Sequence, residues 1–269
     1  MEARFERFAM YGWGVVAYNL LVIPHDPAIG SLIGLPHRLF LAIALLLVLG
    51  QLVWARRILP RRAAAWWAAH AAIFLILTAA LVEAAPLLFQ SIADINSVAL
   101  PLWRSAHLKN SFLLLAALAL VPWYASGAPA PRREPIRREG WLLFVGLLGT
   151  PLLGMTGGVT ALGETQLLLT LRLIHPTFAV VIAFVLLLAA GVTAAQRPAR
   201  ATRELALLVA ALVIGQLIVG LVDLLLGAPP AMQFVHLLVA NALWIALVLL
   251  TAAALGLPRR ELTPPSHRG

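Results

Sequence analysis

The sequence predicts an all-α, polytopic membrane protein with eight transmembrane helices. Of its 269 residues, 62% are hydrophobic and only 12% are charged, which is too little charge for a water-soluble domain of this size. Apolar runs near the 20 residues that cross a bilayer recur along the chain. Basic clusters follow every second run, so the helices can share one consistent orientation.

The eight apolar runs define predicted helices 1 to 8. The first run lacks the small-residue cleavage pattern of a signal peptide, so we interpret it as a membrane helix. Cysteine is absent, which excludes disulfides, thiolate metal ligands and covalent attachment of heme. The runs cover residues 8–24, 35–55, 64–85, 103–125, 140–157, 170–195, 204–226 and 231–256.

The basic residues predict the topology. Most of the 20 Lys and Arg residues lie on one side of the predicted helices, and the positive-inside rule places that side, with both termini, in the cytoplasm. The formal charge of +9 therefore reflects membrane orientation rather than nucleic-acid binding. Four basic residues lie instead near the outer ends of predicted helices 2, 4 and 6: Arg38, Arg104, Lys109 and Arg172.

Residues 1–128 and 140–269 are predicted to be two copies of one four-helix unit, joined by a basic cytoplasmic linker at 129–139. His107 and His236 each precede a similar Leu- and Ala-rich run, and His37 corresponds to His175. Glu83 falls about where Gln216 falls in the second copy. A unit with an even number of helices repeats in the same orientation, so we expect two pseudo-symmetric, parallel four-helix bundles.

Four histidines lie at equivalent depth near the outer ends of the even-numbered predicted helices. Ionisable groups at such positions usually face the bundle interior, and neutral imidazole is a good iron ligand. We therefore predict two heme sites, one with His37 and His107 and one with His175 and His236. The alternative is that these side chains form hydrogen bonds between helices.

The four outer basic residues adjoin these histidines in sequence. Arginine pairs well with carboxylates, so these residues are candidate contacts for heme propionates; the alternative is that they snorkel to the interface. Two acids, Glu83 and Asp223, also lie within predicted helices, where charge is costly. Each is interpreted as an interhelical polar contact, a step in a proton route, or a partner for a basic residue or heme.

At these residues the sequence resembles the heme A synthase family. Predicted helix 2 opens with a His-Arg pair, His37 and Arg38, like that of the family. The other similar stretches extend over nearly the whole chain: 12–23, 107–118, an expected loop at 156–165, 172–176, 216–220, 228–229 and 236–240.

The resemblance implies an enzyme of a bacterial or archaeal cytoplasmic membrane that oxidises a ring methyl of heme O to the formyl group of heme A. It implies heme b between His175 and His236, and heme O, heme A or a second heme b at His37 and His107. The partners implied are the heme substrate, heme O synthase, terminal-oxidase assembly factors and membrane lipid. A homo-oligomer is left open.

The sequence departs from the family in its first half. The family's outer loop between helices 1 and 2 shrinks here to residues 24–34, and Gly34 stands where the family has a catalytic glutamate. A carboxylate could move protons, whereas glycine cannot. The competing hypothesis is therefore a non-catalytic, bis-His membrane cytochrome b of the same fold. A transporter built on a parallel repeat is the least supported alternative.

Overall fold

The computed structural model describes residues 27–58, 63–88, 99–132, 137–162, 166–197 and 199–256. All regular structure within these ranges is α-helical. The seven helices correspond to predicted helices 2 to 8: α1 (Pro27–Ile58), α2 (Ala63–Leu88), α3 (Ala99–Ala125), α4 (Arg138–Leu162), α5 (Gln166–Gln196), α6 (Arg200–Leu225) and α7 (Pro230–Gly256). Predicted helix 1 and both termini lie outside the described residues, so the count of eight and the placement of the termini stay predictions.

The chain is a multi-pass membrane protein. Six helices, α2 to α7, contain spans long and apolar enough to cross a bilayer. Large apolar side chains point outward from them, among them Phe184 at 68%, Leu207 at 71% and Leu225 at 75% exposure. In water such a surface would favour aggregation, whereas in a bilayer it is the surface that contacts the lipid chains.

Two helices extend well into segments that the sequence predicts as loops. α1 begins at Pro27, so residues 27–34, expected as loop, are helical; proline is well tolerated at a first helical position, where its missing N–H is not needed. α4 continues to Leu162, so much of the expected loop at 156–165 is helical. The loop was expected from the family resemblance, whereas membrane helices use glycine for close packing.

Consecutive helices run antiparallel. Along α4 and α5, Gly146 faces Leu186 and Gly157 faces His175, so residue numbers rise on one helix as they fall on the other. The α3–α4 pair behaves alike, because Gly158 faces Ser105 while Gly154, one turn earlier, faces Phe112. The first residues of α3 and α5 and the last residues of α4 therefore lie at one end of the bundle.

The arginine-rich segments lie at the opposite end. A buried ion pair there joins Arg197, just after α5, to Glu139 in the first turn of α4, with 3.7 Å between Nη2 and Oε1. Arg200 begins α6 and pairs with Glu204. These contacts agree with the prediction that basic clusters share one side, while the cytoplasmic assignment of that side rests on the positive-inside rule.

The second half forms a closed ring of four helices. α4 packs against α5, α5 against α6, α6 against α7 and α7 against α4. In such a ring α5 and α7 occupy opposite corners. In the first half, α1 packs against α2 and α2 against α3, and α3 joins the halves by packing against both α4 and α7.

A buried aromatic pair fixes this junction. The Trp244 indole N–H of α7 donates to the Phe112 backbone carbonyl of α3, with 2.5 Å between nitrogen and oxygen. The two rings meet edge to face with centroids 5.9 Å apart, an arrangement that adds to the burial of their apolar area. The Phe112 ring also lies directly over Gly154 of α4.

The segment that follows α3 closes the end of α7. The Arg132 backbone N–H donates to the Leu255 carbonyl at 3.0 Å, satisfying one of the acceptors that every helix leaves unpaired at its end. Gly256 makes this approach feasible, since a Cβ there would lie 2.5 Å from the Pro129 carbonyl oxygen. The linker between the halves thus caps the final described helix.

Gly154→Ala is expected to destabilise the junction between the halves. The added Cβ would lie 2.7 Å from Cε2 of the rigid Phe112 ring, so the free energy of unfolding should fall by about 1–3 kcal/mol. Gly191→Ala, where a Cβ meets nothing within 4 Å, is the matched control and should be neutral. Thermal unfolding in detergent measures both, and equal melting temperatures would contradict this account of the junction.

Candidate functional site

Three of the four predicted iron ligands lie at the same end of the bundle, each in the first third of its helix. His107 is in α3, His175 in α5 and His236 in α7, and all three side chains are half-buried. His107 and His175 lie at a similar depth along the bundle. Adjacent glycines of α4 show this, because Gly157 faces His175 and Gly158 faces Leu108, the neighbour of His107.

The remaining sequence candidates cannot be placed as side chains. His37 lies on α1, but its side chain falls outside the described part of the structure. The same holds for the side chains of Arg38, Glu83, Arg104 and Arg172, and for the surroundings of Gly34, which stands at the family's glutamate position. Their assignments stay predictions.

His175 lies against the backbone of α4. A Cβ on Gly157 would be 2.9 Å from ring atom Cε1 and 3.4 Å from each ring nitrogen, so only glycine gives the imidazole this room. The neighbouring Thr156 places its hydroxyl oxygen 2.9 Å from His175 Nδ1. The same hydroxyl donates to the Leu153 carbonyl at 2.7 Å.

His236 has a similar setting on α6. A Cβ on Gly220 would lie 3.0 Å from ring atom Cε1 and 3.4 Å from Nδ1. The Gln216 side-chain nitrogen approaches the same ring, 3.1 Å from Nε2 and 3.3 Å from Nδ1. In each case, therefore, a helical glycine and a nearby polar side chain on the preceding helix hold one histidine.

Asp223 shares this face of α6. The spacings of four and three residues from Gln216 to Gly220 to Asp223 place all three on one side of the helix. Asp223 is close enough to His236 for the two to interact electrostatically, and its Oδ1 is buried without a hydrogen-bond partner among the described residues. The buried Gln216 Oε1 also lacks a hydrogen-bond partner among the described residues. The face of α6 near His236 therefore carries two buried polar atoms without partners in the described part of the chain.

A tight turn sets the register of Gly220 and Asp223 against His236. Gly227 ends α6 with a φ of 75°, a conformation that glycine adopts without strain. The Gly227 N–H donates to the Leu224 carbonyl, and the next residue, Ala228, donates to the Asp223 carbonyl at 2.7 Å. α7 begins at Pro230, so His236 returns beside Gly220 on the adjacent helix.

His175 and His236 lie at opposite corners of the ring of α4 to α7, each in the first third of its helix. Within the described ranges, no three His, Cys, Asp or Glu side chains cluster to hold a bare metal ion. A porphyrin needs only two axial ligands because it brings four nitrogens of its own.

The first-half site is described only from α3. One turn after His107, Asn110 ties α3 to α2, because its Nδ2 donates to the Leu75 carbonyl at 2.9 Å and its Oδ1 accepts from the Thr78 hydroxyl at 2.8 Å. Lys109 is exposed. Its spacing of two residues turns it about 200° from His107 around the helix, and its assignment as a propionate contact stays a prediction.

Four residues of the second-half site had no site role in the sequence prediction. They are Thr156 and Gly157 on α4, and Gln216 and Gly220 on α6, each pair on the helix that precedes a predicted ligand. The sequence signal that could have identified them is a polar residue within four positions of a glycine. The first pair was missed because the segment was expected to be loop. Gln216 was noted only as the counterpart of Glu83.

A comparison with protein families matches residues 163–248 to the profile of COX15-CtaA, described as cytochrome oxidase assembly protein. The match includes His175, Gln216, Gly220 and His236, and ends before Leu250. It therefore covers both predicted ligands of the second-half site and supports the resemblance seen in the sequence.

Two curated proteins are similar over nearly the whole chain. Both are described as protoheme IX farnesyltransferase, from two strains of Thermus thermophilus, and each is 35% identical over 316 aligned residues. The alignment covers 98% of this chain and 52% of each relative. The chain thus spans about half the length of the curated relatives it matches.

Gly157→Ala and Gly220→Ala are each expected to displace one imidazole and to weaken heme retention by roughly 10-fold, the low end of what disturbed ligand orientation costs. Gly215→Ala is the matched control on α6, since a Cβ there meets nothing within 4 Å. Heme absorbance per protein after purification measures the effect. Retention equal to that of the control would contradict the packing of the rings on glycine.

Proposed function

We propose that this chain is a heme A synthase-type membrane oxidoreductase whose second half holds heme b between His175 and His236. The observation that carries the proposal is the placement of these two imidazoles at opposite corners of one helix ring, inside the segment that matches a cytochrome oxidase assembly family. Bound there, heme b would supply one-electron transfer within the membrane.

The substrate site is proposed in the first half, with His37 and His107 facing heme O. Conversion of the ring methyl to a formyl group is balanced with dioxygen as the oxidant, since a methyl group and O₂ give a formyl group and water. Arg38, Arg104 and Arg172 are proposed to pair with heme propionates. Asp223 and Glu83 are acids within the described helices that we propose as steps in a proton route.

The name carried by the relatives bears on the supply of substrate. Transfer of a farnesyl group uses a diphosphate, which proteins bind through Mg²⁺ and closely spaced carboxylates. The three aspartates of this chain, Asp26, Asp94 and Asp223, are far apart in sequence, and none lies within four residues of a glutamate. We therefore assign farnesyl transfer to the part of the relatives that this chain does not cover.

This assignment implies a sequence of reactions. Farnesylation of protoheme gives heme O, so a heme O synthase is the proposed upstream partner of this chain. Terminal-oxidase assembly factors are the proposed recipients of the product, which agrees with the description of the matching family.

The second candidate is a non-catalytic membrane cytochrome b of the same fold. The observation that favours it is Gly34, which leaves the family's catalytic carboxylate position without an acid. The second-half site is the same in both proposals, so the two differ only in chemistry at His37 and His107.

Extraction and chromatography of the hemes should separate the two candidates. The protein is purified after co-expression with a heme O synthase. The synthase proposal expects heme A or its hydroxylated precursor alongside heme b, whereas heme b alone, with full histidine ligation, would favour the cytochrome. Protein that contains no heme after this co-expression would overturn both.

His175→Ala and His236→Ala are each expected to abolish the absorbance of the second-half heme, because each removes an axial ligand. His70→Ala is the matched control. His70 lies on α2 near its basic end, where its ring bonds Arg56 and the Trp66 carbonyl. Wild-type spectra in both site variants would show that the ligand assignment is wrong.

A further inference from the structure

The hydroxyl hydrogen of Thr156 is used in a hydrogen bond within its own helix. Its Oγ1 lies 2.7 Å from the Leu153 carbonyl oxygen of its own helix, and a carbonyl can only accept. The single hydroxyl hydrogen must therefore point to Leu153, since two oxygens at that distance without a hydrogen between them would repel each other.

The Thr156 oxygen can then act only as an acceptor toward His175. It lies 2.9 Å from Nδ1, so Nδ1 must carry the hydrogen. This tautomer leaves the lone pair of the neutral imidazole on Nε2.

We propose that Thr156 is a positioning residue that fixes His175 as the Nδ1–H tautomer and so presents Nε2 to iron. This inference rests on the proposed heme site and extends it by naming the group that orients one ligand. Gly157 is part of the device, because a Cβ 2.9 Å from Cε1 would push the ring away from the hydroxyl.

The two axial ligands are held differently. The His236 ring faces the Gln216 amide nitrogen with both of its nitrogens, at 3.1 and 3.3 Å, so this contact selects neither tautomer. Thr156 therefore makes His175 the ligand with a defined hydrogen-bond partner for its distal nitrogen. A hydrogen bond from Nδ1–H raises the basicity of a ligating imidazole and stabilises ferric over ferrous iron.

The test compares Thr156→Val, Thr156→Ser and Thr150→Val in the heme-loaded full chain. Thr150 is the matched control, because it lies on the same helix and its hydroxyl donates in the same manner to the Gly146 carbonyl at 2.8 Å. Thr156→Val should raise the midpoint potential of the second-half heme and weaken heme binding by about 10- to 100-fold. Thr156→Ser and Thr150→Val should keep wild-type values.

A second measurement needs no heme. In heme-free protein with ring-labelled histidine, nitrogen chemical shifts should report His175 as the Nδ1–H tautomer, with the signal assigned by its loss in His175→Ala. Wild-type potential and affinity in Thr156→Val, failure of serine to restore them, or an Nε2–H signal would each overturn the proposal. Absence of heme from wild-type protein would instead contradict the proposed function. The tautomer of His175 would then be decided by the heme-free, labelled sample alone.

Discussion

The close approach of α4 to its neighbours is the constraint on which the described site depends. Lipid tails are as apolar as the helices, so association in a membrane relies on van der Waals contact and interhelical hydrogen bonds rather than on a hydrophobic driving force. α4 meets this requirement with glycine on two faces: Gly146, Gly149 and Gly157 toward α5, and Gly154 and Gly158 toward α3. Because no Cβ intervenes, Thr156 can reach a histidine ring on α5.

The helices themselves could be predicted from sequence because each needs a long apolar run to cross the bilayer. Predicted helices 2 to 8 are all present as α1 to α7. The boundaries were harder to predict. Residues 156–162 belong to a segment that was expected as loop from its resemblance to the family. In the membrane the backbone must satisfy its own hydrogen bonds, so the helix continues to Leu162.

The site could be predicted in part. Histidine is conspicuous in an apolar helix, so the depth of His107, His175 and His236 could be inferred from the sequence alone. Thr156 and Gly220 could not, because their importance comes from the neighbouring helix and not from their own sequence context. Lys109 is exposed on α3, and its contact with a heme propionate stays a prediction.

The two halves differ in the contacts that the structure describes. The second half has a histidine, a glycine and a polar partner at each of two corners. The first half shows α3 held to α2 through Asn110, and its ligand pairing through His37 rests on the repeat and the resemblance. We therefore place the proposed heme b at His175 and His236, whereas the two proposed functions differ at His37 and His107.

The hydrogen bond from Arg132 to the Leu255 carbonyl also sets an order for biogenesis. Arg132 is translated before any residue of α4, whereas Leu255 emerges only after all four helices of the ring. The Arg132 N–H therefore lacks this acceptor while the four helices α4 to α7 are synthesised. The contact can form only once the last residues of α7 have been synthesised, so it forms after every other described helix has been made.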